Sequence, residues 1–372
     1  MGVGFAVVLM FMQIGFRNAL IDNNVQIFTL FDTRVANLAM ISQARYNIST
    51  EQRFPRELLE QAKAIPGVMG VSSVSVERGT AKVMVSNYVP RPLRVIGVEL
   101  NQTTFFRNQQ LVAKLLEADA RGGALVDTRS KDYFGFAAST DELVRQSIEL
   151  NGKAIPVVGQ FQLGTDFAND GTLLMSQQVH GRYFPWRWPA GDPNDVVDIG
   201  LIQAQTGSIS ELGRLAERIE QLSPSAIDVK PTTYFIDREK SFWANNTPIG
   251  KIFLIGTIMG LVVGAIICYQ IQFTDLSEHM PEFATLKAMG YSPRYFWSFI
   301  LWQSFYLACL GFLPGIILSQ GLYLLLAETS GLVMNMNLPT IGLVWVLTLM
   351  MCCVSGLLAI RKLFSTDPAS LF

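Results

Sequence analysis

Three long apolar runs, and the short polar piece between the first two, most limit what this chain can fold into. Residues 249–271 carry one charge, Lys251, and residues 295–327 and 339–360 carry none. A helix needs about 20 apolar residues to cross a hydrocarbon core of about 30 Å, so each run is long enough to span. The whole composition agrees. Half of the 372 residues are hydrophobic, 16% are charged and the mean hydropathy is +0.30, whereas soluble domains average about 25% charged residues. A net charge of -1 offers no general attraction for nucleic acid.

A fourth apolar run, residues 3–16, is shorter and reaches spanning length only by including Gln13, Arg17 and Asn18. It has no basic segment before it and no A-x-A pattern after it, so it reads as a first span rather than a signal peptide. The sequence also allows the true first span to begin upstream of Met1. Lysines and arginines set the orientation. Lys287 and Arg294 lie in the loop between the second and third spans, Arg361 and Lys362 follow the fourth, and residues 328–338 have neither. The expected order is a first span over 1–21, an outer domain over 22–246, a second span over 247–272 and a cytosolic loop over 273–294. A third span over 295–327, a short outer loop over 328–338, a fourth span over 339–361 and a cytosolic tail over 362–372 follow.

Gly256, Gly260 and Gly264 recur every fourth residue of the second span. Small residues at that spacing let helices approach closely, so they are expected to form a packing face, within the chain or across a dimer. The third run would extend about 50 Å as a helix, longer than the hydrocarbon core, and Pro314 is a candidate kink. Neither of the last two spans has an Asp, Glu, Lys or Arg deep inside, which argues against an ion or proton pathway.

The outer domain mixes helices and strands. Residues 53–65 read as a helix, 68–76 and 82–88 as successive strands, and 93–100 as another. Asn151-Gly152, flanked by 148–150 and 155–161, is a strong hairpin signal. A strand is expected over 196–203, a capped helix from Ser208 with Glu211 three residues on, and a strand over 226–230. This is an α+β domain of one chain segment, with two subdomains expected. Tyr183, Phe184, Trp186 and Trp188 form a proline-bracketed aromatic loop that either docks a partner or packs locally.

Catalytic patterns are missing. There is no phosphate-binding G-x-x-x-x-G-K-[ST], no H-E-x-x-H and no G-x-S-x-G, and with two histidines a histidine-based metal site is not expected. Cys268, Cys309, Cys352 and Cys353 all fall in apolar runs, where they read as small apolar residues. No catalytic residue, metal site or bound cofactor is expected.

The polar loop then carries the functional signal. Pro281-Glu282-Phe283-Ala284-Thr285-Leu286-Lys287-Ala288-Met289-Gly290-Tyr291, together with four spans and a large outer domain, resembles the FtsX/MacB superfamily of ABC transporter permeases, and within it the DevC-like branch. The ending Asp367-Pro368-Ala369 and the hairpin at Asn151-Gly152 are similar to features of that superfamily. Two departures are visible. Glu278-His279-Met280-Pro281 stands where many members have a basic run, and the usual cytosolic helix before the first span is missing. The resemblance implies a membrane protein of four transmembrane helices with a large α+β periplasmic domain inserted between helices 1 and 2, in the bacterial inner membrane. It implies a permease domain over about 250–372, a homodimer, and a separate ATPase that holds the ATP. A periplasmic adaptor, an outer-membrane channel and a lipid-like cargo are also implied. In the loop, Phe283, Leu286 and Met289 are expected to enter the ATPase, with Glu282 and Lys287 orienting them and Gly290 following. An alternative is a non-transporting transducer of the FtsX type that regulates a periplasmic hydrolase.

Overall fold

The computed structural model describes residues 2–48, 50–85, 89–136, 143, 148–166, 169–189, 191–205, 208–330, 332 and 334–364. The chain divides into two compact units. One holds residues 1–19, 247–327 and 334–372, and the other holds 20–246 and 328–333.

The helices, in chain order, are α1 (Gly2–Asn23), α2 (Arg56–Lys63), α3 (Gln109–Ala120), α4 (Gln177–Tyr183) and α5 (Ile209–Glu220). They continue as α6 (Thr232–Asn245), α7 (Pro248–Glu278), α8 (Met280–Ala288), α9 (Pro293–Ser330) and α10 (Leu338–Phe364). The strands are β1 (Leu38–Ser42), β2 (Phe54–Pro55), β3 (Val68–Glu77), β4 (Lys82–Val85), β5 (Arg91–Pro92), β6 (Arg94–Val98) and β7 (Ala124–Asp127). Then come β8 (Ile148–Leu150), β9 (Lys153–Ala154), β10 (Val157–Phe161), β11 (Thr172–Ser176), β12 (Val196–Val197), β13 (Ile199–Ala204) and β14 (Ile227–Pro231).

In the 20–246 unit, eight strands among the described residues make one mixed sheet in the order β10-β7-β11-β6-β3-β13-β1-β14. The pairs β10/β7 and β11/β6 are parallel, and the other pairs are antiparallel. Both faces are covered, so central strands are apolar on both sides rather than alternating. One cluster holds Phe28, Phe31, Phe105, Leu115, Ile96, Leu174 and Phe235. A second packs α2 and α5 through Leu59, Ala62, Leu212, Leu215 and Ile219. A third lies against the small antiparallel sheet β5-β4-β8-β9.

The helical and strand readings of this unit hold with shifted edges. The helix expected from residue 53 starts at Arg56, because Phe54–Pro55 pairs with Val196–Val197. Two expected neighbours part company. β3 lies in the large sheet between β6 and β13, while β4 pairs β5 and β8 in the small one. The end of the strand expected over 82–88 lies outside the described residues. Asn151 and Gly152 take positive φ, 54° and 75°, as a type I′ hairpin turn requires. The returning arm is only Lys153–Ala154, however, and Val157–Phe161 leaves to pair β7 in the other sheet.

The other unit contains apolar helices. Four helices among the described residues are long and apolar enough to cross a membrane: Gly2–Asn23, Gly250–Glu278, Pro293–Ala327 and Leu338–Arg361. The glycine row of α7 faces α1. A Cβ on Gly256 would lie 2.6 Å from Gln13 Oε1, one on Gly260 3.7 Å from Leu9, and one on Gly264 against Met351 of α10 and 2.6 Å from Ala6. Within the chain this face is packed by α1 and, at Gly264, also by Met351 of α10. Gly311 and Gly315, which bracket Pro314 in α9, take Val3 and Val7 of α1 in the same way. Polar atoms also join the helices. Gln272 donates to the Cys352 carbonyl (3.1 Å) and accepts from Ser304 (2.9 Å), linking α7, α10 and α9.

Gly264→Leu should lower the thermal stability of the detergent-solubilised protein by about 1–3 kcal/mol, the usual cost of overpacking. Gly342→Leu, where a Cβ meets nothing within 4 Å, should melt like the parent. Equal melting of the two variants would refute the close packing of α1 and α10 at Gly264.

Candidate functional site

α8 is set between the two long helices α7 and α9 by local chemistry. His279 ends α7 and begins α8, and Pro281 sits in the first turn, where its missing N–H costs nothing. Glu282 near the start and Lys287 near the end suit the helix dipole. Gly290, at φ +90°, stops the helix. Its N–H donates to the Lys287 carbonyl (3.1 Å) and Tyr291 N–H donates to the Leu286 carbonyl (3.2 Å). This is a Schellman cap. Gly290 thus shapes the end of the loop.

The two faces of α8 differ. Phe283 and Leu286, half-buried, join Met280 and Phe273 against Leu276, Phe296, Ile300 and Ile360. The Phe283 ring lies 5.9 Å from Phe296 and 5.6 Å from Phe299. These two residues therefore seat α8 on α7, α9 and α10. Glu282, Lys287 and Met289 are exposed, Met289 at 63%. Glu282 lies 3.4 Å from His279 Nδ1.

The aromatic loop in the 20–246 unit also divides. Tyr183 and Phe184 are buried, and the Tyr183 hydroxyl donates to the Ala154 carbonyl at 2.7 Å. Trp186 and Trp188 are 45% and 39% exposed. Between them Arg187 turns inward. Its guanidinium donates to Glu77 (2.5 Å) and to Asp198 (2.7 Å), both fully buried. Arg53 adds a second donor to Glu77 at 2.5 Å, and Arg45 approaches Asp198 at 3.6 Å. Asp198 also accepts Val76 N–H at 2.9 Å, and it stands at the break between β12 and β13, where a single strand was expected. Sequence reasoning missed this network. Its one visible trace is an arginine between two tryptophans.

His180 is fully buried, and its ring lies tilted against Phe184 with centroids 4.6 Å apart. Burial first, then the nearby charges of Arg187 and Arg53, hold its imidazole well below the ordinary 6.5. The folded state keeps it neutral, while the unfolded chain takes up a proton as the pH falls through about 6.5. Stability is therefore present above that pH and lost below it, by up to about 1.4 kcal/mol per pH unit. His180→Phe should flatten the decline in melting temperature between about pH 6.5 and 5. An unchanged slope would exclude His180 as its source.

Among the described residues no group of three or more His, Cys, Asp or Glu is placed to hold a metal ion. None of the curated proteins matches the chain. Among solved structures it is similar to the periplasmic region of MacB from Actinobacillus actinomycetemcomitans, at 10% identity over 57% of this chain and 94% of that one, with a TM-score of 0.37. It is also similar to the extracellular domain of the noncanonic ABC-type transporter YknZ from Gram-positive bacteria, at 9% identity over 52% of this chain and 99% of that one, with a TM-score of 0.31. Likeness this distant carries no functional argument. The family match is of another kind, because it falls on the helices that frame α8. Residues 253–368 match the family described as FtsX-like permease C-terminal.

Proposed function

We propose that the chain is the permease subunit of an ABC exporter in a bacterial inner membrane, with α8 as the segment that holds a separate ATPase. One observation carries this reading. Within the part of the chain that matches the FtsX-like permease family, a nine-residue helix is seated by its apolar face on three apolar helices and presents Glu282, Lys287 and Met289 outward. Force applied to that outward face passes directly into α7 and α9 through Phe283 and Leu286. This chain has no phosphate-binding loop of the Walker type, so ATP belongs to the partner. Residues 22–246 are the periplasmic domain, inserted between transmembrane helices 1 and 2, and it receives the motion. The DevC-like resemblance of the loop favours a homodimer working with a periplasmic adaptor and an outer-membrane channel, and a lipid-like cargo. Trp186 and Trp188 are the exposed part of the aromatic loop and the part fitted to dock such an adaptor.

Purification of the tagged chain from its native membranes, with mass spectrometry of what accompanies it, tests the reading. A Walker-type ATPase with a periplasmic adaptor is the expected result. An ATPase with a peptidoglycan hydrolase would replace the exporter by a transducer, and no ATPase in mild detergent would remove the role of α8.

A further inference from the structure

Cys268 of α7 and Cys352 of α10 are both fully buried, and their sulfur atoms lie 3.6 Å apart. The same two helices are joined on either side of the sulfurs. The Ser355 hydroxyl donates to the Ala265 carbonyl at 2.8 Å, and the Gln272 amide donates to the Cys352 carbonyl at 3.1 Å. Side chains reach a neighbouring helix's backbone only where the helices approach closely, and small residues permit that approach. A Cβ on Gly264 would meet Met351, and one on Gly356 would meet Gln272 and Ser304. The two sulfurs therefore face each other across a tight seam whose bonds hold them level.

Both are free thiols, as are the half-buried Cys309 and Cys353. A disulfide holds its sulfurs about 2.05 Å apart, so the pair closes with a shift of about 1.5 Å shared by two side chains. The residues joined are 84 apart in sequence, and a bond across so long a loop restricts the unfolded chain strongly. Burial sets the reagent. Thiols enclosed in this way are inert toward water-borne reagents, so an oxidant that reaches them is one that partitions into the bilayer around the helices.

We propose that Cys268 and Cys352 form a redox-controlled staple between α7 and α10, closed by an apolar two-electron oxidant of the quinone or diazene type and opened by an apolar reductant. Two S–H bonds break and one S–S bond forms. The two electrons and two protons pass to the oxidant, so that a quinone leaves as its quinol and a diazene as its hydrazine. The staple lies near the seat of α8. Cys268 is eight residues before Leu276 in α7 (268 to 276), and Cys352 is eight before Ile360 in α10 (352 to 360), about 12 Å along each helix. Oxidation thus fixes α7 to α10 about two turns from the residues that hold α8. The bond is a property of the apolar helices and does not rest on the permease reading.

Diamide, an apolar diazene, tests this on membranes holding the full chain with Cys309→Ser and Cys353→Ser. Mass spectrometry of the digested protein is expected to find Cys268 and Cys352 joined in more than about half of the chains, and tributylphosphine to separate them. The same joined peptides are expected from the unsubstituted chain, which covers a loss of folding in the double variant. In detergent the oxidised chain should melt at least about 5 °C above the reduced one. Cys268→Ala, which keeps a small apolar residue at the seam, should abolish both the joined peptides and the shift. The proposal is overturned by thiols that stay free after diamide, by a bond that joins two chains in place of two helices of one, or by a shift that Cys268→Ala retains. None of these readouts involves an ATPase, so they leave the reading of α8 untouched.

Discussion

Met289→Asp is expected to strip the ATPase from the purified permease while the membrane helices stay folded. Met289 is an apolar side chain 63% exposed at the end of α8, and its neighbours in the helix cap are backbone atoms that do not need it. A central apolar contact in an interface commonly contributes about 2 kcal/mol or more, about 30-fold in affinity. Leu286→Asp should lose the ATPase as well, by a different route. It puts a carboxylate into the packing against Leu276, Phe296 and Ile300, so α8 leaves its seat. The two are separated by limited proteolysis of the loop, which should accelerate for Leu286→Asp and stay at the parental rate for Met289→Asp. ATPase retained at parental level by both variants would end the assignment of α8 as the coupling element.

Asp198→Asn should be the most damaging single change in the 20–246 unit. The parent carboxylate is wholly buried and faces Arg187, Arg45 and, at 4.0 Å, Arg53. Removing its charge leaves Arg45 without its nearest carboxylate and Arg187 with Glu77 alone, in a place without water, and breaking a buried pair from one side typically costs about 3–5 kcal/mol. Thermal unfolding of the full chain, followed by near-ultraviolet circular dichroism, reads the loss. Glu117→Gln removes a pair of similar chemistry from the surface, where Arg121 and Glu117 are both more than half exposed. It should leave the curve where it is. If the two variants melt together, the buried network has no structural role.

What the sequence could reveal followed the range of the interactions. The apolar runs, the Asn151-Gly152 turn and the stop at Gly290 are written in a few adjacent residues, and each appears where the local chemistry places it. Partners far away in the chain leave no such mark. β3 and β4 are separated by four residues, yet they join different sheets, because β3 finds β13 more than 120 residues later. The break at Asp198 depends on Arg187, Arg45 and Val76 arriving from three other segments. In α8 the residue types were legible but their directions were not. Phe283, Leu286 and Met289 are all apolar, and only the position of Leu276, Phe296 and Ile360 decides which of them turns inward.

The fit of α1 between two glycine rows works as a key in a keyway. Val3 and Val7 occupy notches at Gly311 and Gly315, while Ala6 and Gln13 occupy those at Gly264 and Gly256. An axial slip of one residue, about 1.5 Å along the helix and about 100° around it, would lift these side chains out of both rows at once and drive them into larger neighbours. α1, α7 and α9 therefore resist sliding past one another, while tilting about the narrow waist of glycines remains open to them. On the role proposed for α8, motion delivered there would pass through these helices as a rocking and not as a slide.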